Sequence, residues 1–556
     1  MLTRRDFHQI VLASALSAAL PHAAMARTGD DGGSTDLVLN RLTFGATPDS
    51  RAALEHLGLT GWLDAELAHP ASDTDLDRRL SSARLRIFYD AGDDGEGKTW
   101  PALDEMRPLA ALTADPADQV ALLNFENAMD YGERIRPAQE VIAASLIRAV
   151  HAKAQLREVM TQFWHDHFSV NSLKSEATAA FFPSHDAMLR QHAFGNFRAM
   201  LGDVARSPAM LYYLNNEDSR ASPANENFAR ELLELHTLGA AVYLNDHAPR
   251  WRDVPGAAEG VAEGYIDQDV YEVARAFTGW TVGDGRWISD GVAAPVTGRF
   301  HYVEAWHDPY QKRVLGVEFP PNRAPMADGD QVLDVLATHP ATARLIATKL
   351  IRRLLTDDPD PAMVARVAAV FLASSADSDQ IAQLIRAIVA DPKFVATPPA
   401  KLRRPFEFLA ALYRATGADV VVPEAAFDWQ LARAGWHQHS FGPPTGHPDT
   451  SGRWSGASTL NRLVDLALYA HDDWFGGTDT VLAAALPAGP ISFAAIAGHW
   501  KMRLTGPTGA DRLPELAAAA GISDTEALMD LTAEDRQDFA GAAVTFAALT
   551  PEFLLR

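Results

Sequence analysis

Histidines and carboxylates crowd two short stretches of this sequence, residues 156–168 and 223–238, and side chains of those types hold metal ions or move protons. In the first stretch Leu156, Val159, Met160, Phe163 and Trp164 recur at helical spacing and define one apolar face. His167 continues that face and should point inward. His165 lies two positions earlier, about 200° away around the axis, on the side of Glu158 and Thr161. On an intact helix these two imidazoles cannot chelate one ion together. They would do so only if the chain unwound after Trp164. The plainer expectation is one buried, hydrogen-bonded histidine and one at the surface.

The second stretch is expected to start with Ser222 as N-cap and Pro223 at the first helical position. Phe228, Ala229, Leu232, Leu233 and Leu235 form a broad apolar arc with His236 near its middle. Glu226, Asn227, Arg230, Glu231 and Glu234 occupy the opposite arc. Glu226–Arg230 and Arg230–Glu234 are i,i+4 pairs of opposite charge, as on an ordinary solvated face. If another part of the chain covers that arc, Asn227, Glu231 and Glu234 present one amide and two carboxylates in a column suited to a hard or borderline cation.

Other polar groups stand further along. His301 and the pair His307-Asp308 fall in or beside strand-like sequence, although His-Asp-Pro is also a common turn. Lys349, Arg352 and Arg353 end a helix near Asp357 and Asp358, where cations complement the helix dipole. Lys401, Arg403 and Arg404 open a later helix, which is unfavourable unless an acidic neighbour or an anion meets them. His437, His439 and His447 accompany Trp436 and Trp454 in a Gly- and Pro-rich loop, either a binding lip or a packed structural loop.

The elements that must position these residues read as helices. The chain has 556 residues, 47% of them hydrophobic. The expected fold is mainly α, a large multi-helix body with a small β-hairpin-like insert around residues 295–320. Helical spacing marks 117–131, 137–153, 156–168, 177–193, 223–238, 268–279, 340–354, 378–390, 401–416 and 456–470. The strand-like pieces are Val296–Val303 and Arg313–Phe319. A boundary near 395 would separate a main helical domain, 37–395, from a C-terminal helical portion, 396–556, which holds the loop at 435–454.

Composition narrows the chemistry. Cysteine is absent, which removes disulfides, thiolate metal sites and cysteine nucleophiles. The net charge of -23 argues against nucleic acid as a partner. No G-x-S-x-G, H-E-x-x-H, Walker A or dinucleotide fingerprint is present. Arg4-Arg5-Asp6-Phe7, the apolar run Ile10–Leu20 and Ala24-Met25-Ala26 form a twin-arginine (Tat) export signal cleaved after Ala26. No later segment is apolar for 18 residues, so no stable transmembrane anchor is expected, and the mature chain should be periplasmic or extracellular.

Several long segments recur together, in this order, in one bacterial family: NRLTFGATP (40–48), FWHDHFSV (163–170), NFRAMLGDVARSPAMLYYL (196–214), NENFARELLELHTLG (225–239), DVYEVARAFTGW (269–280), HDPYQKRVLG (307–316) and HPATARLIATKLIRRLL (339–355). Over roughly residues 37–470 the chain resembles the domain-of-unknown-function 1800 family. The resemblance implies an exported protein, often encoded beside a second exported family related to sulfatases, and no established activity. It places His165 and His167 in a tryptophan–histidine motif, Arg230, Glu231, Glu234 and His236 in the longest signature, and His307, Asp308 and Lys312 in a His-Asp-Pro element. The loop departs from the Gly-Gln-Pro-like start of similar proteins, having Gly435-Trp436-His437-Gln438 instead.

Two functional expectations follow. One is a metal-dependent enzyme, hydrolytic, acting on an envelope or extracellular substrate. A divalent ion would be held by His167, Glu231 and His236, with His165 and Glu234 as catalytic groups and Asn227, Arg230, His307, Asp308 and Lys312 binding substrate. The alternative is a non-catalytic binding or assembly protein that works with a sulfatase-like exported partner.

Overall fold

A computed structural model describes residues 31–556 apart from 71–72, 422–425 and short stretches between 470 and 531. The expected export signal lies outside the described residues. The architecture is mainly α, with only small two-stranded ladders among the described residues. Its helices include α1 (Asp31–Leu42), α2 (Pro48–Ala68), α3 (Tyr131–His151), α4 (Gln155–His167), α5 (Glu176–Gln191), α6 (Phe197–Arg206), α7 (Glu226–Glu231), α8 (Asp267–Ala276), α9 (Ala327–Ala337), α10 (Pro340–Leu354), α11 (Pro361–Ala373), α12 (Gln380–Ala390), α13 (Pro405–Thr416), α14 (Ala457–Tyr469), α15 (Phe493–Thr505) and α16 (Ala533–Ala548). One apolar core runs without a break from Val38 to Phe553.

At its centre α3 and α5 pack against each other and α4 packs against both. Nearly every residue of α4 is buried, polar ones included. That explains why a single apolar stripe predicts it poorly: the helix is covered on all sides, so its polar residues must find partners inside the protein.

Three local expectations are corrected. The stretch 117–131 is not one helix but a short turn, Pro116–Leu123, followed by turns, because Asp130 caps the start of α3. Ser222 and Pro223 precede the signature helix rather than begin it. Asn225 is the N-cap, its side chain accepting from the Asn227 amide at 2.9 Å, and α7 continues from Leu232 to Thr237 as a π-helical turn. The two strand-like pieces also do not pair with each other. Val296–Tyr302 pairs antiparallel with Trp280–Asp284, while Lys312–Val314 and Val317–Phe319 form a hairpin of their own. A further ladder, Arg84–Tyr89 with Leu103–Pro108, was not expected, although Leu85 and Ile87 alternate with arginines as a half-buried strand does.

Candidate metal centre

Three successive side chains at the end of α4 splay toward three different parts of the chain. His165 turns to α5, where its Nε2 lies 3.0 Å from Asp186 Oδ1. Asp166 turns to the start of α13 and to the loop: its carboxylate accepts from Arg404 Nη1 at 2.8 Å and pairs with His447 Nδ1 at 3.2 Å. His167 turns to α10 and to the π turn, with Nδ1 3.0 Å from Lys349 Nζ and Nε2 3.1 Å from the His236 carbonyl. A carbonyl only accepts, so His167 Nε2 carries the proton and Nδ1 accepts from the lysine. Both histidines are buried, at 7% and 2% exposed, so neither is the surface histidine that the apolar stripe implied. They face apart, as an intact helix requires.

The loop closes the site. Trp436 and Trp454 are fully buried, and the Trp436 ring stacks on His447 with centroids 3.9 Å apart. Gly446 sits at φ +69 directly on the Asp166 carbonyl; an added Cβ would fall 1.9 Å from that oxygen, so no side chain fits there. This close approach delivers His439 onto His165, ring centroids 4.1 Å apart, with the His439 carbonyl accepting from the Ser172 amide at 2.9 Å. His439 itself holds a left-handed backbone, φ +54, which costs a non-glycine residue on the order of 1 kcal/mol or more.

His165, Asp186 and His439 thus place candidate ligand atoms within 4.8 Å of one another, all three residues buried, and no other such group of three occurs among the described residues. The protonation states suit a ligand set. Burial opposes ionisation of Asp186, yet Arg190 and Arg148 hold its carboxyl well below the usual carboxylate range. Their Nη2 and Nη1 lie 3.2 and 3.0 Å from it. Burial, then His165, hold the His439 imidazole neutral. Its Nδ1 has no hydrogen-bond partner. Its Nε2 lies 3.0 Å from Gln438 Nε2, but Gln162 Oε1 at 3.0 Å and Ser145 Oγ at 3.1 Å compete for that amide's two hydrogens. An ion seated here would replace the His165–Asp186 hydrogen bond with coordination, and three protein ligands would leave a position open, as catalytic sites do.

The set expected from the sequence is not brought together. His167 spends both nitrogens on Lys349 and His236, and what it meets of His236 is the carbonyl. Glu231 and Glu234 are half-buried neighbours without hydrogen bonds among the described residues, and burial, then Glu234, raise the Glu231 pKa. Asn227 is exposed and donates to the Leu214 carbonyl at 3.1 Å. Arg230 lies 3.4 Å from Asp267. His307, Asp308 and Lys312 form a closed network elsewhere: His307 Nε2 and Lys312 Nζ meet Asp328 at 3.2 and 2.6 Å, and Asp308 takes a bidentate pair from Arg275 at 2.8 and 3.1 Å. Apolar spacing marks 177–193 without singling out Asp186; the signal for it in the sequence is His185-Asp186 inside a helix otherwise rich in apolar residues.

His185 flanks the centre, its Nδ1 2.9 Å from Ser207 Oγ and its Nε2 without a partner. Burial, then the charge of a protonated His165, push its imidazole down to about 3 from 6.5. The unfolded chain therefore takes up this proton first as pH falls, so the stability His185 contributes is whole above about pH 6.5 and is lost as pH drops toward 3. Buried Glu66, Glu140 and Glu217, raised to about 7 by burial, carry the opposite sign. A comparison of variants isolates His185. Wild-type stability should fall more steeply than that of His185→Gln between pH 6.5 and 3, by up to about 1.4 kcal/mol per pH unit. Urea midpoints at several pH values read this, and parallel slopes would mean that the imidazole charges in place.

Comparison with known proteins gives one match. The family described as "Protein of unknown function (DUF1800)" covers residues 37–555, well past residue 470, to which the resemblance in the sequence extends. None of the curated proteins and none of the solved structures matches the chain.

Proposed function

The chain belongs to this family of unknown function, and from that premise we propose that it is a metal-dependent enzyme whose ion is held by His165, Asp186 and His439. The observation that carries the reading is the buried convergence of two imidazoles and an ionised carboxylate on three separate chain segments. A bound divalent ion would supply Lewis-acid chemistry, polarising a substrate oxygen or lowering the pKa of a water. The chain's own residues do the rest. Arg148 and Arg190 fix the Asp186 carboxylate. Phe182 walls the site, its ring centroid 5.5 Å from both His165 and His439. Glu231 has a raised proton affinity from burial and from Glu234 beside it. Tyr213, whose hydroxyl donates to Gly442 O at 3.0 Å, ties that region to the His439 loop.

The reaction class is hydrolysis of an envelope or extracellular substrate, a choice supported by the twin-arginine leader at residues 1–26. Metal analysis of protein purified without chelators tests the centre. About one equivalent of a transition metal is expected, lost in His439→Ala and retained in His307→Ala. Metal absent from both would leave the second reading, a non-catalytic partner of a sulfatase-like exported protein. That reading is favoured by one observation: the charges of the His-Asp-Pro element are spent within the chain, as at Asp328.

A further inference from the structure

Lys349 is held in a different manner from the buried lysines Lys312 and Lys401. Lys312 meets Asp328 at 2.6 Å, and Lys401 meets Asp357 and Asp449 at 2.8 and 2.9 Å. Lys349 forms no ion pair among the described residues. Its Nζ has two acceptors, His167 Nδ1 at 3.0 Å and the Leu235 carbonyl at 3.4 Å. The first is a neutral lone pair, because His167 Nε2 is committed as a donor to the His236 carbonyl. The second is a carbonyl within the π turn. Neither is a counter-ion.

The residue still reaches solvent, being only partly buried. It is therefore an amine held by two directional contacts, with no carboxylate paired to it. The charged and titratable groups around it are Asp166, Arg352, His167 and His236. Burial lowers its proton affinity most, Arg352 lowers it further and Asp166 opposes them, leaving a pKa of about 8.

We propose that Lys349 is a nucleophilic amine that condenses with the carbonyl carbon of a small aldehyde or ketone. The neutral nitrogen attacks the carbonyl carbon, a C–N bond forms and the carbonyl π pair moves onto oxygen. The nitrogen then releases its protons, the oxygen leaves as water, and the product is an imine. Overall, one amine and one carbonyl compound give one imine and one water, with no change of oxidation state.

The simpler role for Lys349 is to cap a helix end, which positive side chains do without any reactivity. Reductive trapping separates the two. Wild-type protein is treated with acetaldehyde and sodium cyanoborohydride at pH 7.5, and ethylation of each lysine is followed by peptide mass spectrometry. Exposed Lys98 and Lys393, whose side chains are 41% and 53% exposed, serve as references. Lys349 should be modified faster than either, on the order of tenfold, because far more of it is neutral at that pH. Extents that follow exposure, with Lys349 last, would overturn the proposal. Lys349→Arg keeps donors for His167 and Leu235, so it should fold while losing only the fast-labelling site. The result does not depend on the metal, since chelator-treated protein is expected to label in the same way.

Discussion

Replacing Glu407 with alanine should cost about 3–5 kcal/mol, the scale seen when one partner of a buried ion pair is removed. Glu407 is 2% exposed, and its two oxygens serve three guanidiniums. Oε1 pairs with Arg353 and, at 2.9 Å, with Arg404 Nε; Oε2 accepts from the Arg404 amide at 3.1 Å and faces Arg556 Nε at 3.5 Å. Burial opposes ionisation, but Arg353, Arg556 and Arg404 hold the carboxyl well below its ordinary value. Without it, Arg353 and Arg404 keep only Asp166 and Asp449, and the start of α13 loses its cap. Urea denaturation at pH 7 measures the loss. A cost below 1 kcal/mol would show that water or backbone movement solvates the arginines readily.

Asp186→Asn should be nearly as costly and should also empty the proposed centre. The substitution keeps shape but removes the charge that Arg148 and Arg190 share, leaving Glu158 as the carboxylate paired with Arg190. About 3 kcal/mol is expected from stranding Arg148 and leaving Arg190 with one carboxylate in place of two. His439→Ala provides the contrast, because it removes a side chain with no committed partner on Nδ1 and strands no charge. It should cost on the order of 1–2 kcal/mol while abolishing metal binding. Metal content and stability measured on both variants therefore separate ligand from scaffold. If Asp186→Asn kept its metal while losing stability, the carboxylate would be purely a partner for the arginines.

These residues also show what the sequence could convey. Helical spacing found α5, α10 and α13 from their apolar residues, and it found the extent of α4 but not its burial, since that helix is covered on its polar sides as well. The basic run at Lys401, Arg403 and Arg404 called for an acidic neighbour or an anion, and the structure gives Lys401 Asp357 and Asp449 and gives Arg404 Asp166 and Glu407, while Arg403 donates to the Phe553 carbonyl at 2.8 Å. Asp166 and Asp449 come from regions distant in the chain, so no local pattern could name them. The same holds for the centre. His165 and His439 are 274 positions apart, and what joins them is a glycine seated on a carbonyl. The π turn hid for another reason: one extra residue per turn shifts His236 relative to Glu231 and Glu234, so a wheel drawn at 3.6 residues misplaces all three.

The three-way splay at the end of α4 also restricts how this chain can change length. One residue added or deleted in α4 just before His165 would rotate His165, Asp166 and His167 together by about 100°. Asp186, Arg404 and Lys349 would lose their partners in a single step, and no neighbouring element could compensate, since each belongs to a different segment. Substitutions there can be absorbed one at a time. Changes of length cannot, and tolerance for insertion is left to the exposed turns, such as Gly95–Gly97 between the strands of the N-terminal ladder.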